Sequence, residues 1–305
     1  MAIGTSTAAR VPPRGGARAR RWAGWLFVAP ALIAYGLFVL VPFAMTVQYS
    51  TLRWNGTGPQ TFTGLNNYVT VLTDPDLVQI ILNAFKLVVF FSFVPVALGL
   101  LVAVVIRRVA TGPLGAVART VLFLPQVIPL VAAGIVWSWM LSKTGVVNQV
   151  LDATGLGWLS RTWLADFGMA LPAVGVIGAW VLLGLCTVLL LTGMSKIDVA
   201  LYEAARIDGA TAWQEFRAIT VPSLRYEIGV CITVTTIAAL AAFDIVYIST
   251  GGGPGVATMV PGLEIYRLAF AGRQIGLASA LAVILIILVL VVVLPIQRLT
   301  REEPT

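Results

Sequence analysis

Six stretches of this chain are apolar for long enough to cross a lipid bilayer, and that decides the class of fold first. Residues 25–47 run for 23 positions without a charge, and a hydrocarbon core of about 30 Å takes about 20 residues of helix. Comparable runs cover residues 87–106, 120–141, 167–194, 226–248 and 274–297. Composition agrees. Hydrophobic residues make up 59% of the 305 and charged residues 11%, with a mean hydropathy of +0.94, against about a quarter charged in a soluble domain. The expectation is an all-α membrane protein of six spans. Pro30 and Pro42 mark kinks in the first span. Residues 1–21 read as a disordered basic tail rather than a cleaved leader, 22–298 as the six-span domain and 299–305 as a short terminal tail.

The segments between spans carry the orientation. Five basic residues lie in the tail, three at 107–119, four at 195–225 and two after the last span, 14 of the 20 in all. The positive-inside rule puts these on the cytoplasmic side, with both termini. This placement also explains the net charge of +7 without a nucleic-acid partner. The segments 48–80, 142–166 and 249–273 fall outside. There is no histidine, which removes the commonest general base and metal ligand. Cys186 and Cys231 fall at apolar positions and read as small hydrophobes.

The segment 195–225 stands out as rich in charge and well patterned between two apolar runs. Ser195 with Asp198, and Thr211 with Gln214, read as two capping boxes. Gly209 sits where a left-handed residue ends the first helix. Pro222 sits where the second should stop. A helix–glycine–helix loop between two spans is a knob that a soluble partner can grip.

Within this loop Glu203-Ala204-Ala205, Asp208-Gly209-Ala210, Phe216, Ile219 and Pro222 resemble the EAA loop of bacterial ABC-importer permeases. The fuller string Y-E-A-A-R-I-D-G-A-T-A-W-Q-E-F-R-A-I-T-V-P resembles the carbohydrate-importer branch, of maltose or glycerol-3-phosphate type. F-T-G-L-N-N-Y at 62–68 and F-D-I-V-Y-I-S-T-G-G-G-P at 243–254 resemble it too. One departure is Leu224-Arg225-Tyr226, where the family carries a second proline, and it leaves the exit angle into the next span open. The resemblance implies a permease fold whose loop docks an ATPase through Glu203, Ala204, Ala205, Asp208, Gly209, Ala210, Phe216 and Pro222. It implies a heterodimer with a second permease, two ATP-binding subunits and an extracytoplasmic solute-binding lipoprotein, in a bacterial cytoplasmic membrane. It also implies a sugar as the cargo. No cofactor is expected in this chain, since no G-x-x-x-x-G-K-[ST] loop occurs and ATP with Mg²⁺ would bind the partner ATPase. Gly251-Gly252-Gly253 reads as a flexible turn rather than a phosphate cradle.

In permeases of this kind the fifth span lines the sugar path, and the positions matching a maltose-type permease are Thr235, Ala238, Ala239 and Ala242. At i, i+3, i+4 and i+7 they share one helical face. The alanines depart from the larger polar residues that maltose takes, so the face serves either another solute or close helix packing. The hydroxyls of Thr233, Thr235 and Thr236 have a bland alternative in their own i−4 carbonyls. Trp180 and Thr187 on the fourth span are further path candidates, with helix packing as the alternative for Trp180. Asp244 is the acid deepest in an apolar run and reads as structural or gate-lining rather than solute-binding. Glu203 has no histidine, nucleophile or metal partner at useful spacing, so it reads as a docking residue and not a catalytic acid. Three other classes compete: the same importer for a glycerophosphodiester, a membrane enzyme, and a channel or structural subunit uncoupled from ATP. The absence of clustered acids, cysteines and histidine opposes the enzyme.

Overall fold

The structure is a computed structural model, and it describes residues 16–109 and 112–300. Contacts divide the chain into residues 1–48 and 49–305. In the first unit α1 (Gly16–Tyr35) passes through a π-helical turn, Gly36–Leu40, into α2 (Val41–Ser50). Residues 16–21, expected as part of a disordered tail, belong to α1. Residues 1–15 and 301–305, which hold the rest of both expected tails, lie outside the described residues.

The larger unit opens with a two-stranded ribbon, β1 (Leu52–Arg53) and β2 (Thr61–Phe62), paired antiparallel. Then come α3 (Asn66–Thr73) and α4 (Pro75–Val88). Asp74 caps α4, accepting from the Asp76 and Leu77 amides at 2.9 and 3.1 Å, with Pro75 at the first helical position, where its missing N–H costs nothing. A π-helical turn, Val89–Phe93, joins α4 to α5 (Val94–Val109). Next are α6 (Pro113–Val127), α7 (Leu130–Met140), α8 (Val146–Ala153) and the long α9 (Ala170–Met194). The segment expected as a charged loop holds α10 (Val199–Ile207), α11 (Ala212–Glu215), a π-helical turn and α12 (Val221–Ser223). The chain finishes with α13 (Arg225–Leu240), α14 (Asp244–Ser249), α15 (Pro261–Tyr266) and α16 (Ile275–Leu299).

Among the described residues four helical stretches cross a bilayer by length and composition: 27–50, 75–107, 170–194 and 275–299. Two bent pairs bring the count to six. One joins α6 and α7 at 96°, and the other joins the 212–223 segment to α13 at 69°. The third span is thus broken rather than a single helix over 120–141. Pro129 forces Ile128 out of the helical region, to φ −70° and ψ 130°, as the residue before a proline prefers. The fifth span ends at Leu240 instead of Ile248, and a non-helical link at residues 241–243 separates it from α14.

Three prolines share one local solution. Pro42, Pro95 and Pro222 each stand two residues after a π-helical turn, and the residue just before each donates to the carbonyl five back: Val41 to Gly36, Val94 to Val89, Val221 to Phe216. A proline inside an α-helix clashes with the carbonyl four back and lacks its N–H. The wider turn shifts the register so that the helix continues. At Pro222 the helix continues by one residue only, to Ser223, before the bend at Leu224, so it stops where the proline places the stop to within a residue.

The core is built around α9, flanked by α5, α6 and the Val89–Phe93 turn. One cluster joins Leu87, Phe91, Val174, Ile177, Ala239, Val246, Leu263 and Leu281. A second gathers Val96, Ala103, Cys186, Leu190, Met194, Tyr202, Leu224 and Cys231. In lipid the hydrophobic effect does not drive helices together, so close fit does. A Cβ on Gly184 would overlap the Leu122 carbonyl, and one on Gly134 would overlap Ile248, so α6 lies hard on α9 and α7 hard on α14. The glycine turn after α14 is a built element rather than a loose one. Thr258 Oγ1 lies 2.7 Å from both the Gly253 carbonyl and Thr250 Oγ1, and buried Asn83 donates to the Val256 and Met259 carbonyls at 2.9 and 3.0 Å.

Candidate functional site

Two places in the larger unit gather residues that sequence reasoning singles out: the 195–225 loop and a cavity at the two breaks in the spans.

The loop is a hairpin of short helices. Asp198, not Ser195, caps α10, its Oδ1 accepting from the Ala200 amide at 3.0 Å, while Ser195 Oγ donates to the Thr192 carbonyl at 2.7 Å. Ser195 cannot cap α10 because α9 continues to Met194 and Ser195 is its C-cap residue. At the other end Gly209 has φ +80°. Its N–H bonds to the Arg206 carbonyl at 3.1 Å, and that of Ala210 bonds to the Ala205 carbonyl at 2.9 Å. This paired 5→2 and 6→1 closure needs a left-handed residue, which glycine adopts without strain. Thr211 and Gln214 form the expected capping box, with bonds of 2.7 and 3.4 Å. Arg206 Nε and Glu215 Oε1 pair at 2.9 Å across the hairpin, and this carboxylate raises the guanidinium pKa above its ordinary value.

The outer face of the hairpin is exposed and mixed in character. Glu203, Ala204, Asp208, Gly209 and Pro222 are exposed, while Ala205, Ala210 and Phe216 are half-buried. Phe216 stacks on Trp213 with ring centres 5.4 Å apart. Two residues missed from the sequence complete the face: Ile207 is 86% exposed and Trp213 66%. Their signal was available, since Ile207 stands beside the charged bend rather than on the apolar stripe of α10.

The cavity, of about 320 Å³, lies where the two broken spans meet α9. Gln126 and Ile128 reach it from the first break, Ala241 to Asp244 from the second, and Ala238 from the last turn of α13. Of the path candidates it collects Ala238, Ala242 and Asp244. It leaves out the others. Thr235 is fully buried, with Oγ1 2.7 Å from both the Cys231 carbonyl and Ser92 Oγ. Ala239 is buried in the core. Thr187 donates to the Leu183 carbonyl at 2.8 Å, and Trp180 packs edge-on against Trp137 at 5.6 Å. The proposed face splits because α13 stops at Leu240: Ala242 is beyond the helix, where the i+7 rule no longer applies. Gln126 was missed. Its Oε1 is buried with no hydrogen-bond partner among the described residues, and an amide inside an apolar run is the signal that marks it. Unwound backbone at membrane depth is tolerated where it lines a cavity, and here both breaks do. The described residues hold no group of three or more His, Cys, Asp or Glu suited to a metal.

Comparison with known proteins fits this geometry. A family model described as binding-protein-dependent transport system inner membrane component matches residues 95–300. The probable ABC transporter permease protein YurN of Bacillus subtilis is 36% identical over 262 residues, 85% of this chain and 89% of that one. The lactose transport system permease protein LacF of Rhizobium radiobacter is 34% identical, covering 81% and 83%. A chain from the crystal structure of a bacterial ABC transporter that imports the acidic polysaccharide alginate shares the fold, with a TM-score of 0.77 at 24% identity over 94% of this chain and 98% of that one. With helices of crossing length, an exposed hairpin between α9 and α13 and this match over two thirds of its length, the chain is a multi-pass membrane protein of the binding-protein-dependent transport system inner membrane component family.

Proposed function

We propose that this permease carries a sugar or oligosaccharide into a bacterial cell and does so as one half of a permease heterodimer. The observation that carries the reading is the 199–223 hairpin: rigidly capped, cross-braced by Arg206 and Glu215, and presenting Ile207, Glu203 and Trp213 outward. Such a surface suits the groove of a soluble ATPase, with an exposed carboxylate to meet a partner's arginine. Two ATPase copies would bind ATP and Mg²⁺ and supply the energy, and a lipoprotein on the outer side would deliver the solute. The charge asymmetry supports cytoplasmic termini and a cytoplasmic hairpin. The sugar reading draws on relatives named for lactose and for starch degradation products. The cavity of 320 Å³ beside Gln126, Ala238, Ala242 and Asp244 is our candidate for the solute path. Ala238 and Ala242 leave room there, and Gln126 offers an acceptor to a hydroxyl.

Single cysteines test the orientation. Replacements at Thr61 and Ser160 should react with an impermeant thiol reagent added to intact cells, and one at Thr211 should not. Labelling of Thr211 from outside overturns the arrangement. Glu203→Lys should leave the permease in the membrane while lowering both ATPase co-purification and import. Full import by that variant removes the docking role.

A further inference from the structure

The polar contacts between the hairpin and the second span converge on one hydroxyl. Tyr202, on α10, is buried among Val96, Ala103, Met194 and Leu224. Arg107, at the end of the second span, donates to its hydroxyl from Nη1 at 3.3 Å, and the guanidinium carbon lies 4.7 Å from the ring centre. Tyr202 Oη and Thr220 Oγ1, on the other arm of the hairpin, are 3.0 Å apart. A phenol accepts and donates at once. The Tyr202 hydroxyl thus accepts from Arg107 and shares a second hydrogen bond with Thr220 Oγ1, which lies 3.5 Å from the Glu215 carbonyl. Beside them lies a cavity of about 340 Å³ bounded by Val104, Arg107, Tyr202 and Arg206. The hairpin is thus not flush against the span, and these polar contacts bridge the gap at its edge. The Coulombic and ring-face attraction of an arginine over a tyrosine adds to the hydrogen bond.

We propose that Arg107, Tyr202 and Thr220 form a latch that passes movement of the hairpin to the second span, so that ATP hydrolysis and solute passage stay in step. They are positioning residues, and the inference rests on the docking role proposed for the hairpin. With the latch intact, a tilt of the hairpin pulls on α5 through Arg107. Without it, the cavity absorbs the tilt.

The test uses the whole complex, with partner permease, ATPase and binding protein, in proteoliposomes, and reads solute imported per ATP hydrolysed together with ATPase stoichiometry. A hydrogen bond from a charged donor sustains roughly a tenfold difference between two states. Tyr202→Phe and Arg107→Gln should therefore each lower the import ratio about tenfold while the ATPase stays bound. The double variant should be no worse than either single, and Arg107→Lys, which keeps a cation at the ring, should recover most of the ratio. Multiplying effects in the double variant, or wild-type ratios with ATPase bound, overturn the latch. Loss of ATPase from the single variants also overturns it, because the residues would then serve docking. If Tyr202→Phe does not assemble, Arg107→Gln, at the half-buried end of the span, decides alone. A wild-type complex that retains no ATPase refutes the docking role instead, a result distinct from all of these.

Discussion

Adjacent alanines on the fifth span both pack at the main core cluster, but only Ala238 also borders the cavity, and replacing each by tryptophan separates cavity from packing. Ala239 is fully buried in the main core cluster. Ala238 lines the cavity of 320 Å³. Overpacking a filled core costs about 1–3 kcal/mol, occasionally more, and 1–2 kcal/mol already shifts a folding ratio by about 5- to 30-fold. Ala239→Trp should therefore lower the yield of assembled, detergent-stable permease and its melting temperature. Ala238→Trp has space to occupy, so the complex should assemble at normal yield, bind its ATPase and fail to import. Size-exclusion yield, thermal stability and uptake of labelled solute into vesicles distinguish the two. Normal import by assembled Ala238→Trp would refute the cavity as the path. Equal loss of yield in both variants would show that the space beside Ala238 is not available.

Gln126→Leu removes a buried carbonyl without a partner among the described residues, and an unsatisfied group of this kind costs about 1–3 kcal/mol; the variant should melt higher yet import less, and a lower melting point contradicts the assignment. Gly209→Ala places a Cβ in open space but at φ +80°, costing about 1–2 kcal/mol in backbone strain; Gly209→Pro, which cannot reach that φ and loses the bond to Arg206, should abolish ATPase co-purification where alanine only weakens it. Glu264 is held above the ordinary carboxylate pKa first by burial and further by Asp74 and Asp76, against the opposing Arg267. A raised acid binds more protons folded than unfolded, so its contribution is lost as pH rises from the ordinary carboxylate value through the raised one. Glu264→Gln should flatten the melting temperature across that interval, and an unchanged profile refutes the claim.

Much of this was legible because the deciding signals are local. The cap at Thr211 and the bend at Gly209 are chemical requirements of a few residues, and both stand as expected. Span number followed from apolar length alone. The breaks were not legible, because hydropathy measures only apolar content: the run 226–248 stays mostly apolar across a link where the helix has ended at Leu240. The 96° turn in the third span depends on α6 lying against α9 at Gly184 and α7 against α14 at Gly134. The π-helical turn before Pro222, a solution shared with Pro42 and Pro95, cannot be read from the proline itself. Ala238 and Ala239 both lie on α13, but only Ala238 borders the cavity. Neighbours in a helix differ by about 100°, and only the packed partners reveal which of them faces the core.

The docking of the hairpin to an ATPase is most directly tested by cross-linking from Ile207, the most exposed apolar residue of the loop at 86%. Ile207→Cys carrying a photoactivatable group, in the assembled complex, should form an adduct with the ATPase subunit, and Thr61→Cys carrying the same group should form none. An Ile207 probe that gives no ATPase adduct, or one no stronger than that from Thr61, would contradict the account.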